Sequence, residues 1–570
     1  MSEDRHMTDC KFRIGINMAG AVSAGAYTAG VLDFLMEAIE EWQAAKEKFR
    51  AGAAGAPPVP LHDIEIQVFS GASAGGMCAA IASVMVQQPF QHIVAGDEQN
   101  TNNTFYESWV NRIDISQLLK TDDVGGGKPL ISLLDCTIID DIANFALTPS
   151  RPQPRPYIAS DLTLFLSLTN VRGVPYRLYD DPNPTVNEFT AYYGDKLRFE
   201  TTIGDAKPQS EFAKALPAGE SGKGSWDLLK LAAKATGAVP VALASRVIPR
   251  EVADYAVPGW ESIAGDPPRI PPAFPPGIPS TMETLVVDGG VTNNSPFSLA
   301  HDYLAAKNPE AQLGHNPTTP GTANAAVITV APFPMLDTFD PAFKAAEQQG
   351  LWSILGKTFG VTLAQSRFIG EHLDELLGKP IFSRFSISPS DPDMENQNAL
   401  QCATLNAFGG FFSREFRKHD FLLGRRNCQQ FLRAHLKLPM SNPVIDEGLK
   451  RAGGAAAALQ RDLCSGPPSA DPSIPRDNVW MPVIPLVGSA ALEVPMPARA
   501  QMTTDEVGDI ATQIMQRLNA IRDHLVPGKI GVVVSKALGF VLDTWIIKDE
   551  IHHAIKDQLI AALGTNVKQS

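Results

Sequence analysis

Two short motifs in this sequence carry residues that could perform hydrolysis. The first is Gly71-Ala72-Ser73-Ala74-Gly75, a Gly-x-Ser-x-Gly sequence. The alternating run Ile64–Phe69 before it predicts a strand, and the small residues of Met77–Val84 after it predict a buried helix. Together they indicate a nucleophile elbow, a turn so tight that bulky flanking residues would clash and the serine hydroxyl stands above the sheet. An ordinary turn in which the serine caps a helix is the alternative interpretation.

The second motif is Asp288-Gly289-Gly290, which follows the predicted strand Thr284–Val287. A serine hydroxyl is a weak nucleophile until a base accepts its proton. In a parallel α/β sheet the carboxyl ends of the strands are where ligands bind, so Asp288 is a candidate base for Ser73. The two glycines would leave room for a close approach. A plain turn after a strand is the alternative.

A third stretch could stabilise the negative oxygen that forms during acyl transfer. The small residues Gly20-Ala21-Val22 follow the first predicted strand, Phe12–Met18, and precede a long helix. Backbone N–H groups at such a position can form an oxyanion hole. A tight turn selected for packing explains the same residues without any chemistry.

The elements that would position these residues predict an α/β fold. The order strand, small-residue loop, helix, strand, elbow, helix is typical of a parallel sheet with right-handed crossovers. We expect a catalytic domain at residues 10–390, with 88–160 inserted as a cap or lid. A mainly helical C-terminal extension is predicted at 391–570, with the Ala-, Pro- and Ser-rich stretch 453–500 resembling a linker.

Composition restricts the classes of function. The chain has 570 residues, 44% of them hydrophobic and 19% charged, as in globular proteins. A net charge of −14 argues against nucleic acid as the main partner. No apolar run approaches the roughly 18 residues that span a bilayer, and the polar start does not resemble a secretory signal, so we expect a cytoplasmic protein. The six scattered cysteines and the histidines show no zinc-binding spacing.

The three stretches occur in an order that resembles the patatin-like phospholipases. That family has a glycine-rich oxyanion loop, a Gly-x-Ser-x-Gly nucleophile and an Asp-Gly-Gly or Asp-Gly-Ala motif. Ala235–Pro240 also resembles a family segment, and Phe408–Leu432 is a weaker match to larger bacterial members. The resemblance covers roughly residues 10–435.

The resemblance implies a three-layer α/β/α fold with a mainly parallel central sheet. It also implies a Ser73–Asp288 dyad without histidine that cleaves ester bonds of lipids, as in a phospholipase A or lysophospholipase. No metal or cofactor is expected, and the partners would be a lipid ester and, transiently, a membrane surface. The sequence does not indicate an oligomeric state.

One departure from the family and two rival functions remain open. The family loop usually reads Gly-Gly-Gly-x-Arg/Lys-Gly, whereas Ala19–Gly25 has fewer glycines and no basic residue. This favours, as one rival, a catalytically weak lipid-binding or scaffolding protein of the same fold. The other rival is a Ser-His-Asp esterase, for which the candidate histidines are His301, His419 and His435.

Overall fold

The computed structural model describes most of the chain. The described residues are 11–98, 102–127, 129–150, 152–177, 189–256, 270–333, 366, 381–394, 399–405, 407–453, 479–525 and 548–568. Three predictions lie wholly or partly outside them. The sequence predicts a proline-dense surface loop at 258–279 and a mainly helical chain from about residue 341, and parts of both lie outside the described residues. Much of the linker-like stretch 453–500 does so too.

A nine-stranded sheet forms the centre of the described residues. Its strands are β1 (Lys11–Met18), β2 (Asp63–Gly71), β3 (Ile158–Arg177), β4 (Phe189–Thr202), β5 (Ala213–Pro217), β6 (Arg246–Glu251), β7 (Thr281–Asp288), β8 (Ala325–Val330) and β9 (Arg384–Ile387). The order is β5-β4-β3-β2-β1-β8-β9, with β7 paired to β3 and β6 paired to β7. Five of the eight pairings are parallel, and the other three are antiparallel. The prediction of an α/β fold with a mainly parallel sheet is therefore confirmed.

Twelve α-helices are present among the described residues. They are α1 (Gly25–Arg50), α2 (Ser73–Met85), α3 (Thr104–Tyr106), α4 (Ile115–Leu118), α5 (Thr137–Ala146), α6 (Trp226–Thr236), α7 (Phe297–Lys307), α8 (Gly409–Phe412), α9 (Arg414–Ala434), α10 (Pro443–Ala452), α11 (Thr504–Leu525) and α12 (Lys548–Leu563). A π-helical turn at Glu107–Arg112 continues directly from α3, and the extended backbone of Ile113 separates it from α4. Four short strands pair away from the sheet: β10 (Lys437–Pro439) with β11 (Trp480–Pro482), and β12 (Met502–Thr503) with β13 (Val567–Lys568).

Helices cover both faces of the sheet. Leu164 and Leu166 of β3 belong to the largest apolar cluster, with α1, α2, α6 and α9. Phe165, which alternation turns to the opposite face, packs with Leu299 and Tyr303 of α7. The arrangement is consistent with three α/β/α layers.

Helix α9, from the predicted C-terminal extension, packs directly on α1. A Cβ at Gly30 would lie 1.9 Å from the carbonyl oxygen of Phe421, and a Cβ at Gly424 would lie 2.2 Å from that of Tyr27. Glycine at both positions allows the two backbones to approach this closely. Arg425 on the same helix pairs with Asp33 of α1.

A second apolar cluster, separate from the first, joins the predicted cap to the C-terminal helices. Its buried members include Ile113 and Leu118 from the cap, Phe411 of α8, Val507 of α11 and Leu559 of α12. We call it the second cluster below.

One described helical stretch, Val22–Arg50, is long and apolar enough by length and composition to cross a membrane. No uninterrupted apolar run marks this stretch in the sequence. Of the 18 most apolar consecutive residues in this stretch, 94% are buried within the protein, as in the core helix of a globular domain.

Candidate active site

The elbow forms where β2 passes into α2. Ser73 is the first residue of α2 and has a φ of +53°, a left-handed conformation that is strained for a residue with a side chain. The flanking glycines make this turn possible. A Cβ at Gly71 would lie 2.6 Å from the carbonyl oxygen of Gly75, and one at Gly75 would lie 2.2 Å from that of Met18.

The topology brings Asp288 to this turn in a way that differs from the prediction. The strand before Asp288 was expected to run parallel to its neighbours, but β7 is antiparallel to β3. Strands β2 and β7 share the edge of β3 that β4 leaves free, and their carboxyl ends point at each other. Gly71 pairs with Leu166, and Asp288 pairs with Leu168, two residues further along β3.

The side chains of Ser73 and Asp288 meet at the junction of these two strands. The Ser73 hydroxyl donates a hydrogen bond to Oδ2 of Asp288 with an Oγ–Oδ2 distance of 2.7 Å. The other carboxylate oxygen accepts the backbone N–H of Gly290 at 2.7 Å. Both side chains are buried, at 6% and 4% exposure. The carboxylate therefore contacts the hydroxyl directly and is held from its far side by the backbone.

Burial shifts the acidity of the carboxyl group. Desolvation raises the pKa of Asp288 to about 7, against the lowering effect of the hydrogen bonds from Ser73 and Gly290. A carboxylate with this pKa is a much stronger base than an exposed aspartate. It can accept a proton near neutral pH and return it in a later step.

Of the two glycines after Asp288, Gly289 is sterically required by a backbone contact, and Gly290 lies close to two side chains. A Cβ at Gly289 would lie 2.0 Å from the carbonyl oxygen of Ser167, and one at Gly290 would lie 2.5 Å from Oδ1 of Asn294. At these contacts the loop after Asp288 packs against β3 and against Asn294. A side chain at Gly289 would meet a backbone carbonyl of β3, whereas one at Gly290 would meet the end of the Asn294 side chain, which can move.

The small-residue loop lies beside the dyad, but one predicted donor is excluded. The N–H of Gly20 donates to the carbonyl oxygen of Asn294 at 3.0 Å, so it is not available to a substrate. Among the described residues no acceptor is found for the N–H groups of Ala21 and Val22. Val22 has a φ of +47°, a second left-handed conformation at this site.

The N–H of Ala74 is a further candidate that the sequence did not single out. It lies in the first turn of α2, where backbone N–H groups have no partner within the helix, and the described residues provide no acceptor. The positive end of the helix dipole is at the same place.

Two cavities meet at the serine. One, of about 310 Å³, is lined by Gly20, Ala21, Val22, Ser73, Val239, Pro240, Asp288, Gly290, Val291, Asn294, Phe333, Ala403 and Ala407. The other, of about 80 Å³, has an almost wholly apolar lining that includes Met77, Trp109, Ile142 and Phe411. Ser73, Val22 and Val239 line both. An ester carbonyl at Ser73 could thus have an apolar chain on one side and its alcohol on the other.

The three histidines considered for a triad lie elsewhere. None of them lines either cavity that contains Ser73. His419 is paired through Nδ1 with Asp420 at 2.7 Å, and His301 is paired with Asp302 at 3.1 Å. The only side-chain partner of the Ser73 hydroxyl among the described residues is Asp288.

Comparison with known proteins gives a relative but no activity. No family model matches the sequence. The uncharacterized protein y4iI of Sinorhizobium fredii (strain NBRC 101917 / NGR234) is 32% identical over 564 residues, covering 90% of this chain and 76% of that protein. The crystal structure of VipD from Legionella pneumophila is 11% identical and aligns with 90% of this chain and 86% of its own. The TM-score of that alignment is 0.21, too low to indicate a common fold.

Proposed function

We propose that this protein is a serine acyl hydrolase of lipid esters with a Ser73–Asp288 dyad. The chain belongs to the same family as protein y4iI of Sinorhizobium fredii. The observation that carries the proposal is the 2.7 Å hydrogen bond between a strained elbow serine and a buried carboxylate. The almost wholly apolar lining of the cavity beside Ser73 suits the start of an acyl chain, which favours lipid esters over small polar ones. The order of the motifs supports a patatin-like fold.

The proposed reaction has two steps. Ser73 Oγ attacks the ester carbonyl while Oδ2 of Asp288 accepts the hydroxyl proton. The N–H groups of Ala21, Val22 and Ala74 are the proposed donors to the oxyanion. The carbonyl–alcohol bond then breaks, Asp288 returns the proton to the departing alcohol, and an acyl-enzyme remains.

Water completes the cycle by the same route. Asp288 accepts a proton from water as the oxygen attacks the acyl-enzyme, and Ser73 recovers its hydrogen when the fatty acid leaves. The base works only as a carboxylate. Because burial raises its pKa to about 7, we expect the rate to fall about tenfold per pH unit well below pH 7.

Two assays test this proposal. The purified chain is expected to react with a fluorophosphonate probe and to hydrolyse fatty-acyl esters. Ser73→Ala should abolish both activities, and Asp288→Asn should reduce each by about 10³-fold or more. The matched control is His419→Gln, which removes a histidine outside both cavities and should retain activity in the folded protein.

The outcomes separate this proposal from its rivals. Full activity of either dyad variant would refute the dyad. Loss of chemistry in His301→Gln, His419→Gln or His435→Gln, with folding intact, would favour a triad. A wild-type serine that never reacts with the probe would favour a non-catalytic lipid-binding protein.

Access to lipid is a further part of the proposal. An acyl chain must leave a membrane or micelle to enter the cavity, so we propose a cytoplasmic protein that contacts lipid surfaces transiently. Sedimentation with phosphatidylcholine vesicles tests this. We expect a small fraction of the protein to bind the vesicles, and we expect that fraction to be larger for Ser73→Ala when substrate lipid is present. No binding under either condition would refute it.

A further inference from the structure

The backbone N–H of the nucleophile has an unusual partner. Helix α2 begins at Ser73, and the residue at its N-cap position, Ala72, has no side chain that could accept a hydrogen bond. Instead, the Ser73 N–H donates to Oγ1 of Thr236 at 3.0 Å. Thr236 is the last residue of α6 and is completely buried. A helix distant in sequence thus caps the nucleophile helix.

The hydroxyl of Thr236 is itself fixed in direction. It donates to the carbonyl oxygen of Ser167 on β3 at 2.7 Å, so its lone pairs are turned toward the Ser73 N–H. Gly76 provides the space, because a Cβ there would lie 2.8 Å from this hydroxyl oxygen. One hydroxyl therefore joins α6, β3 and the first residue of α2.

The groups around Thr236 also contact the loop that carries Asp288. The carbonyl oxygen of Ser167 is the atom that Gly289 approaches too closely to carry a side chain. The N–H of Asp288 donates to the carbonyl oxygen of Ala238 at 2.9 Å, two residues after Thr236. Displacement of Thr236 would therefore change the spacing of nucleophile and base together.

We propose that Thr236 is a positioning residue of the Ser73–Asp288 dyad, which it serves by capping the N–H of Ser73. Its hydrogen bond offsets the strain of the left-handed Ser73 backbone and directs Oγ toward Asp288. It also occupies the Ser73 N–H, so the oxyanion is bound by other donors. The role of Thr236 rests on the proposed hydrolase function.

The experiment compares three threonine variants. Thr236→Val keeps the shape and removes the hydroxyl, and Thr236→Ser keeps the hydroxyl. Thr28→Val is the matched control, because Thr28 is fully buried in α1 and its hydroxyl has no partner among the described residues. We measure kcat and KM with a soluble acyl ester, the rate of fluorophosphonate labelling, and the pH dependence of kcat.

The expected result distinguishes positioning from simple stability. Thr236→Val should lower kcat and the labelling rate by roughly 10²-fold with little change in KM, whereas Thr236→Ser and Thr28→Val remain within a few-fold of wild type. The hydrogen bond from Ser73 lowers the pKa of Asp288, so its loss should move the pH midpoint of kcat upward in Thr236→Val.

Other outcomes overturn the inference. If folded Thr236→Val keeps its kcat, or loses it no more than Thr28→Val does, Thr236 does not position the dyad. Should Thr236→Val not fold, Thr236→Ala replaces it, because alanine also removes the hydroxyl, and an unchanged kcat there has the same meaning. An active wild type with an inactive Ser73→Ala confirms the hydrolase whatever the threonine variants show. An inert wild type overturns both proposals.

Discussion

The dyad region and the second cluster both line the apolar cavity but are held together differently. Around the dyad, backbone atoms approach so closely that glycine is required at Gly75 and Gly289. In the second cluster, side chains of short cap helices pack against α11 and α12, and buried Arg517 joins the two parts. The geometry of the Ser73–Asp288 pair is thus set by close backbone contacts, whereas the wall of the cavity is set by side-chain packing. Mutations near the dyad should therefore change mainly activity, whereas mutations that disrupt the second cluster should change mainly the free energy of unfolding.

The largest effect is expected at the elbow. In Gly75→Ala the new Cβ would lie 2.2 Å from a backbone carbonyl of Met18, which cannot move away as a flexible side chain would. We expect activity to fall by more than about 10²-fold and the free energy of unfolding by roughly 2–3 kcal/mol. Gly222→Ala is the control, since nothing lies within 4 Å of its Cβ. An active Gly75→Ala would mean that the turn is not sterically fixed.

The second-largest effect is expected at Arg517, which links the cap to the C-terminal helices. Arg517 Nε donates to the carbonyl oxygen of Leu133 at 2.9 Å, and Nη2 donates to Asp123 at 2.8 Å. Arg517→Met should lower the free energy of unfolding by about 3 kcal/mol, measured by urea denaturation, and leave fluorophosphonate labelling of the folded protein nearly unchanged.

A matched arginine on the same helix is the control for that experiment. Arg522→Met removes an exposed pair with Asp523 and should change stability by less than about 1 kcal/mol. Loss of labelling in folded Arg517→Met would show that the second cluster also shapes the dyad. The two regions would then not be independent of each other.

A third prediction concerns the pH dependence of stability. The pKa of Asp288 is raised from 3.8 to about 7, so between these values the folded chain binds more protons at this site than the unfolded chain. The contribution of Asp288 to the free energy of unfolding therefore falls as pH rises through this window. We therefore expect the free energy of unfolding of Asp288→Asn, relative to that of wild type, to rise by about 2–3 kcal/mol from pH 5 to pH 8. Urea denaturation at the two pH values measures this difference.

The control for the pH experiment is Asp227→Asn, whose side chain is 94% exposed. Its difference from wild type should be the same at both pH values. If Asp288→Asn also shows no pH-dependent gain, then burial does not hold the proton on Asp288 near neutrality.

The smallest effect is expected in the cavity wall. Ala143 on α5 lines the apolar cavity, and Ala143→Leu would fill part of its 80 Å³. We expect kcat/KM for long acyl chains to fall about tenfold relative to short ones, with labelling unchanged. Asn144→Leu, at the adjacent exposed position, should alter neither. Equal loss for all chain lengths would indicate damage to the dyad instead.

The local elements of the site could be predicted from the sequence because they depend on neighbouring residues. Alternation of apolar residues predicts β2, and the small residues after Ser73 predict α2, since each pattern matches the period of its element. The glycines of both motifs were predicted from the steric demands of tight turns, and the structure shows the contacts that impose them. The catalytic roles of Ser73 and Asp288 remain proposals.

The tertiary structure decided how these elements meet. The sequence of β7 does not encode its partner, so its antiparallel pairing with β3 was not foreseen, and that pairing points Asp288 at Ser73. The carbonyl of Asn294 excludes Gly20 as a donor, and the hydroxyl of Thr236 caps Ser73. Such contacts join residues far apart in the chain, whereas a local pattern records only the period and turn chemistry of its own segment.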